Sequence, residues 1–187
     1  MKTVIRVSAI IGLIVLLTAP QPVVADHPAP EEVCAEVECR PATTVILALG
    51  NGEMGRVNVA TRPYVFDGVV SIVAGETIYV EAIPHGSTLA DLRFVPTVAN
   101  PERTVTLKFE QRLGIGMVLT VTNPFSEPLK YSAGIHRPGY DEFHRTSICP
   151  VWPGVRASEH WPEPLVQLLL FDFRFIDEHD QDAMVCD

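Results

Sequence analysis

The sequence has few of the features by which common enzymes and nucleic-acid-binding proteins are found. It contains no Gly-x-Ser-x-Gly, no phosphate-binding loop of the Walker type and no His-Glu-x-x-His, so those motifs predict no hydrolase, P-loop enzyme or zinc protease. Basic residues are scarce: 14 Lys and Arg stand against 23 Asp and Glu, for a net charge of −9. An acidic chain is repelled by phosphate backbones and anionic lipids, so we expect no nucleic acid as a partner.

Long apolar runs are also missing, apart from one near the start of the chain. Lys2 and Arg6 precede the run Ala9–Leu17, and the small residues Val23-Val24-Ala25 follow it. This order is typical of a secretory signal peptide, and the run is too short for a bilayer. We therefore predict a signal peptide over residues 1–25, an exported protein that is periplasmic or extracellular, and no membrane span in the mature chain.

Cysteine is rare, but its number is even: Cys34, Cys39, Cys149 and Cys186. Outside the cytosol an even number favours complete pairing, and four cysteines allow three connectivities. We favour Cys34–Cys39, which closes a short loop, with Cys149–Cys186, which ties the acidic end of the chain to the body. Cross-pairing of the two ends is the alternative.

Strand patterns dominate the rest of the chain, and no convincing amphipathic helix is present. Prolines predict an irregular lead-in over residues 26–41. Period-two alternation or β-branched runs predict strands over 43–49, 56–60, 64–66, 69–73, 77–83, 104–109, 117–122, 129–136, 143–149 and 165–176. Ser87–Leu92 is compatible with one helical turn, and 162–168 with the start of another.

These short predicted strands, separated by Gly and Pro turns, favour an all-β fold. We predict a two-sheet antiparallel β-sandwich, immunoglobulin-like or cupredoxin-like in its Greek key, stapled by disulfides and forming a single domain over residues 42–187. The stretch Val118–Pro124, followed by Pro128-Leu129, resembles a strand, turn and strand of bacterial exported immunoglobulin-like modules. That resemblance implies a fold only.

The most unusual stretch is 135–164, which holds both tryptophans, five prolines and three of the six histidines. Long connections in small domains are often functional, and tryptophan supplies a large contact area. The candidate binding residues are Trp152, Trp161, His136 and Tyr140. The alternative is that one or both tryptophan rings plug an open end of the sandwich.

A metal site is a second interpretation of the same stretch. His136, His144 and His160 lie close in sequence to Cys149, and imidazole with thiolate suits copper. The pattern departs from the cupredoxins, however, because ten residues separate Cys149 from His160 and no methionine follows closely. A bridged Cys149 would not ligate a metal at all.

Three functional hypotheses remain. The first is an exported, non-enzymatic β-sandwich that acts as a binding or structural module of the cell envelope, with an envelope protein as partner and no cofactor. The second is a cupredoxin-like copper-binding protein. The third is an inhibitor of a hydrolase or protease that works through an exposed loop, which rests on analogy of architecture alone.

Overall fold

A computed structural model describes residues 30–50, 52–177 and 185–186. The predicted signal peptide and the first part of the proline-rich lead-in lie outside the described residues. No helix in the described part has the length and apolar character needed to cross a membrane.

More than half of the described residues lie in strands. One helical turn, α1 (Pro30–Val33), precedes them, and one 3₁₀ turn (Pro101–Arg103) interrupts them. The strands are β1 (Cys39–Arg40), β2 (Thr43–Ala48), β3 (Met54–Val59), β4 (Arg62–Pro63), β5 (Val65–Phe66), β6 (Val69–Val73), β7 (Thr77–His85), β8 (Thr88–Val95), β9 (Thr104–Arg112), β10 (Gly116–Thr122), β11 (Leu129–His136), β12 (His144–Thr146), β13 (Arg156–Trp161) and β14 (Gln167–Phe175).

The strands make an antiparallel β-sandwich whose two layers are halves of one sheet. The first layer runs β12-β11-β14-β6-β5 and the second runs β8-β7-β9-β10-β13. The layers join at β14, which pairs with β6 through residues 167–170 and meets β8 only at Arg174 and Thr88. Two short antiparallel pairs, β2 with β3 and β1 with β4, lie outside this sheet.

One core fills the space between the layers because apolar residues alternate along the strands. Leu107 and Phe109 of β9 are completely buried, as are Leu168 and Leu170 of β14. These side chains belong to a single buried cluster that draws on both layers. Ser71 on β6 and Leu169 on the first part of β14 alternate with these core residues and face away from the core.

The all-β prediction is confirmed, as are most strand positions. Strand β11 has the predicted bounds, and Asp67-Gly68 forms the predicted hairpin turn between β5 and β6 with positive φ at both residues, 48° and 72°. The choice between an immunoglobulin-like and a cupredoxin-like Greek key stays a prediction.

Several local predictions were wrong. Residues 88–92 belong to strand β8 and Ser87 to the turn before it, because Gly86, with φ of 62°, closes a hairpin in which β8 pairs with the long strand β7. Residues 162–168 begin no helix, since β14 starts at Gln167. The lead-in is not wholly irregular, as it contains α1 and β1. Within the stretch 135–164, β12 lies in the predicted strand 143–149, but β13 was not predicted.

Both disulfides join the cysteines that the sequence favoured. Cys34 bonds Cys39, five residues away, and Cys149 bonds Cys186 across 37 residues. The first bond fixes α1 against β1. The second holds Val185 and Cys186 against the body of the domain, where the Lys130 Nζ donates a hydrogen bond to the Val185 carbonyl.

Candidate functional site

The first element of the candidate site is a pair of facing arginines. Strands β1 and β4 are antiparallel, and their register sets Arg40 directly opposite Arg62. Like charges in directly opposed positions destabilise a strand pair. The pair is therefore stable only if other groups compensate for the two positive charges.

Arg40 is fully compensated, although only 1% of its surface is exposed. Its Nε and Nη2 donate to the two carboxylate oxygens of Glu76 at 2.8 and 2.9 Å. Its Nη1 donates to the Ser71 hydroxyl at 2.8 Å, and Nη2 also donates to the Ser71 carbonyl at 2.6 Å. The guanidinium stacks 4.6 Å above the Tyr64 ring, a favourable cation–π arrangement. This buried charge has both a carboxylate and a hydrogen-bond partner at each of its three nitrogens.

Arg62 has no such carboxylate. Its Nη1 donates to the Gln167 Oε1 at 2.9 Å, and the Gln167 amide nitrogen in turn donates to the Ser71 hydroxyl at 2.6 Å. The Nε of Arg62 is buried and has no hydrogen-bond partner among the described residues. Burial lowers the pKa of Arg62, and the charge of Arg40 lowers it further. Arginine nevertheless keeps its proton in proteins, so Arg62 stays a cation.

A cavity of about 450 Å³ opens beside Arg62, a size typical of small-molecule sites. It lies on the outer face of β6 and β14, under a cover made by α1 and the segment 60–67. Its apolar walls are Val33, Ala60, Pro63, Phe66, Val69 and Leu169. Its polar side is Thr61, Arg62, Ser71 and Gln167, with Asp67 on the exposed hairpin turn. We call this space the Arg62 cavity.

The charge beside the cavity is positive. Asp67 also borders the cavity, but it makes no ion pair with Arg62, and Glu76 is bonded to Arg40. In the part of the chain that the structure describes, no carboxylate lies within 4.0 Å of the Arg62 guanidinium. An apolar space that ends on one unneutralised guanidinium suits a ligand with an apolar body and an anionic group.

The residues predicted from sequence do not form one site. His136 and Tyr140 lie together: the His136 Nε2 donates to the Tyr140 carbonyl at 2.6 Å, and the His136 ring packs 5.1 Å from Phe143. Trp161 is buried, with its ring edge-on to Phe109 and its Nε1 donating to the Thr146 hydroxyl. Trp152 is 48% exposed on a separate turn.

The histidines proposed as metal ligands do not form a metal-binding group with other ligands among the described residues. His144 is exposed on the edge strand β12, and His160 lies on β13 with its Nε2 donating to the Ile115 carbonyl. The sulfur of Cys149 is in a disulfide and supplies no thiolate. The described residues contain no group of three or more His, Cys, Asp or Glu placed to hold a metal.

Sequence reasoning missed Arg40, Arg62, Ser71 and Gln167. The signal was the position of two of them: Ser71 interrupts the apolar run of β6, and Gln167 stands in an apolar run at the start of β14. A polar residue inside a buried strand requires a hydrogen-bond partner. Pairing Arg40 with Arg62, in contrast, needed knowledge of which short strands meet.

One glycine pattern in the chain invites a nucleotide interpretation. Gly50, Gly52 and Gly55 have the spacing G-x-G-x-x-G. They lie at the turn of the β2–β3 hairpin, and a strand follows them where a dinucleotide site requires a helix. The pattern is therefore a hairpin turn.

The fold and the cavity together define the class of the protein: an all-β, disulfide-bonded sandwich with an arginine-lined cavity on one outer face. No protein-family model matches this chain, and comparison with curated proteins and with solved structures gives no significant match.

Proposed function

We propose that this protein is an exported, non-enzymatic binding module of the cell envelope, and that its ligand occupies the Arg62 cavity. The observation that carries the proposal is the combination of apolar walls with a single arginine whose charge no described carboxylate neutralises. Export is supported by the signal-peptide pattern and by two disulfides, which persist in oxidising compartments.

The location is tested by fractionation. The full chain is expressed with its own leader in a Gram-negative host, and the product is sequenced from its N-terminus. We expect a periplasmic or secreted product that begins at Asp26 and has no free thiol. A reduced product that retains residues 1–25 in the cytosol would overturn the export proposal.

The binding role is tested with Nile red, a neutral probe that becomes fluorescent in apolar sites. We expect the mature protein to bind it and a Leu169→Trp variant to lose that binding, because Leu169 lines the cavity and an indole would fill it. Val98→Trp is the matched control, since Val98 is 43% exposed and does not line the cavity. Equal fluorescence from both folded variants would favour the purely structural module instead.

A further inference from the structure

The chemistry of Arg62 narrows the ligand beyond the proposed function. We propose that the Arg62 cavity binds a small amphiphile with one carboxylate group, whose two oxygens accept hydrogen bonds from the Nε and Nη2 of Arg62 while its apolar part lies along the cavity wall. This inference rests on the proposed function and names the substance class that the site takes.

The neighbouring Arg40 shows, within the same site, how a guanidinium binds a carboxylate. Arg40 binds the carboxylate of Glu76 through Nε and Nη2. In Arg62 only Nη1 is used, by Gln167, and the other two nitrogens have no partner within residues 30–50, 52–177 and 185–186. The unused edge of Arg62 is the edge with which its neighbour holds a carboxylate. Two parallel N–H···O bonds to a planar carboxylate are the preferred geometry for a guanidinium.

The Arg62 guanidinium is already held in one orientation. The hydrogen bond from Arg62 to Gln167 fixes the guanidinium in its plane, and Gln167 is itself held by the Ser71 hydroxyl. Ser71 is also held by Arg40. A guanidinium that is already oriented loses little conformational entropy when a ligand binds.

The charges of the hydrogen-bonded network also favour a carboxylate. This network joins two arginines to one carboxylate, Glu76, whereas Asp67 lies on the exposed turn and makes no ion pair with Arg62, so one negative charge would balance the network. A singly charged carboxylate supplies that charge. A dianionic phosphate would leave an excess negative charge beside Glu76, because Arg40 is already bonded to that carboxylate.

The apolar wall of the cavity suits an apolar part of the ligand. Val33, Phe66, Val69 and Leu169 supply most of the wall, and a chain of about eight carbons fits readily within a cavity of this size class. Phe66, with 40% of its surface exposed, stands at the rim. The apolar part of the ligand would cover the inward side of this ring.

The test compares three probes of the same length by isothermal titration calorimetry: octanoate, octanamide and octylamine. We expect octanoate to bind at least about tenfold more tightly than octanamide, since a charge-assisted pair is stronger than a neutral one, and octylamine to bind weakest. Arg62→Gln should remove the preference for octanoate, and Arg62→Lys should restore part of it. Butanoate should bind more weakly than octanoate.

The outcomes separate this inference from the proposed function. If Nile red binds but octanamide equals octanoate, or if folded Arg62→Gln binds octanoate unchanged, the carboxylate proposal is overturned and the binding role stands. If neither Nile red nor any octyl probe binds, both proposals fail.

Two other occupants would also overturn the inference. Sedimentation velocity would detect a dimer that octanoate dissociates, which would name a second copy of the chain as the occupant. An Asp26→Asn variant that binds octanoate more tightly would show that the chain's own carboxylate competes for Arg62.

Discussion

Two clusters in this protein each contain two arginines and one glutamate, but they differ in how many of the arginines contact the carboxylate. Beside the cavity, Arg40 and Arg62 share one carboxylate, Glu76; near the β7–β8 pair, Arg93 and Arg103 share Glu81. Both arginines of the second cluster reach their carboxylate, at 2.6 and 3.5 Å. In the first cluster only Arg40 does so. The excess charge therefore becomes available to a ligand only where the second arginine is held away from the carboxylate.

The two clusters also differ in the solvent exposure of their arginines. Arg93 and Arg103 have side chains that are 65% and 40% exposed, so water screens them. Arg40 is 1% exposed, and its neighbour Arg62 is partly covered. The same count of charges thus gives a buried glutamate held by two exposed arginines in one place and a candidate anion site in the other.

The largest predicted effect is that of Arg40→Met. This change leaves the Glu76 carboxylate, whose side chain is only 21% exposed, without its cation. We expect a loss of about 3 kcal/mol in the free energy of unfolding, measured by urea titration at pH 7, as for other broken buried ion pairs. Arg93→Met is the matched control and should cost much less, because Arg93 is 65% exposed and the buried Glu81 keeps Arg103 and Asn100 as partners. Equal losses would mean that neither the exposure of the arginine nor the remaining partners distinguish the two clusters.

Removal of the Cys34–Cys39 bond should have the next effect. The bond closes a short loop, so the double change Cys34→Ser and Cys39→Ser should cost about 2 kcal/mol in thermal or urea unfolding. It should also weaken octanoate binding, since α1 and its Val33 form one wall of the Arg62 cavity. A chain with Cys149→Ser and Cys186→Ser should lose stability but keep its octanoate affinity. Unchanged affinity in the first variant would remove α1 from the site.

Lowering the pH should remove the stabilising contribution of Glu81, the carboxylate of the second cluster. Hydrogen bonds from Asn100 and Arg93 lower the pKa of Glu81 below its usual value of 4.5. Because the folded pKa is the lower one, Glu81 stabilises the fold above pH 4.5, and that contribution is lost as the pH falls through the folded value. Glu81→Gln should therefore be less stable than the wild type at pH 7, and the gap between their urea midpoints should narrow as the pH falls below 4.5. A gap that stays constant as the pH falls below 4.5 would contradict this.

The smallest stability effect is predicted for Arg62→Met. The change removes the bond to Gln167, but it also relieves the repulsion from Arg40. We expect these to offset, with a net change in unfolding free energy below about 1 kcal/mol, while octanoate binding is lost. A cost as large as that of Arg40→Met would indicate that Arg62 is a structural residue.

How much of the fold could be predicted from the sequence depended on whether the relevant pattern was local. Alternation within strands such as β9 and β11 is local, so their existence and most of their bounds were predictable. Cys34 and Cys39 lie five residues apart, and their pairing was local as well. Strand β8 was missed because its outward residues Asp91 and Arg93 interrupt the apolar pattern around the hairpin.

The candidate site could not be predicted in the same way. It depends on Arg40 facing Arg62 across two strands of only two residues each, and such strands carry no periodic signal. The tryptophans predicted a binding surface instead, because tryptophan supplies a large contact area, yet Trp161 packs against Phe109 in the core. The cavity arises from the pairing of strands and cannot be recognised from residue type.

The position of β14 has a consequence for the order in which the sheet can be completed. This strand stands in the middle of its layer, between β11 and β6, and also touches β8, so three strands that precede it in the chain lack one neighbour until residues 167–175 pair with them. Pairings so distant along the chain form slowly. We therefore expect the layer that contains β14 to be the last part of the sheet to form.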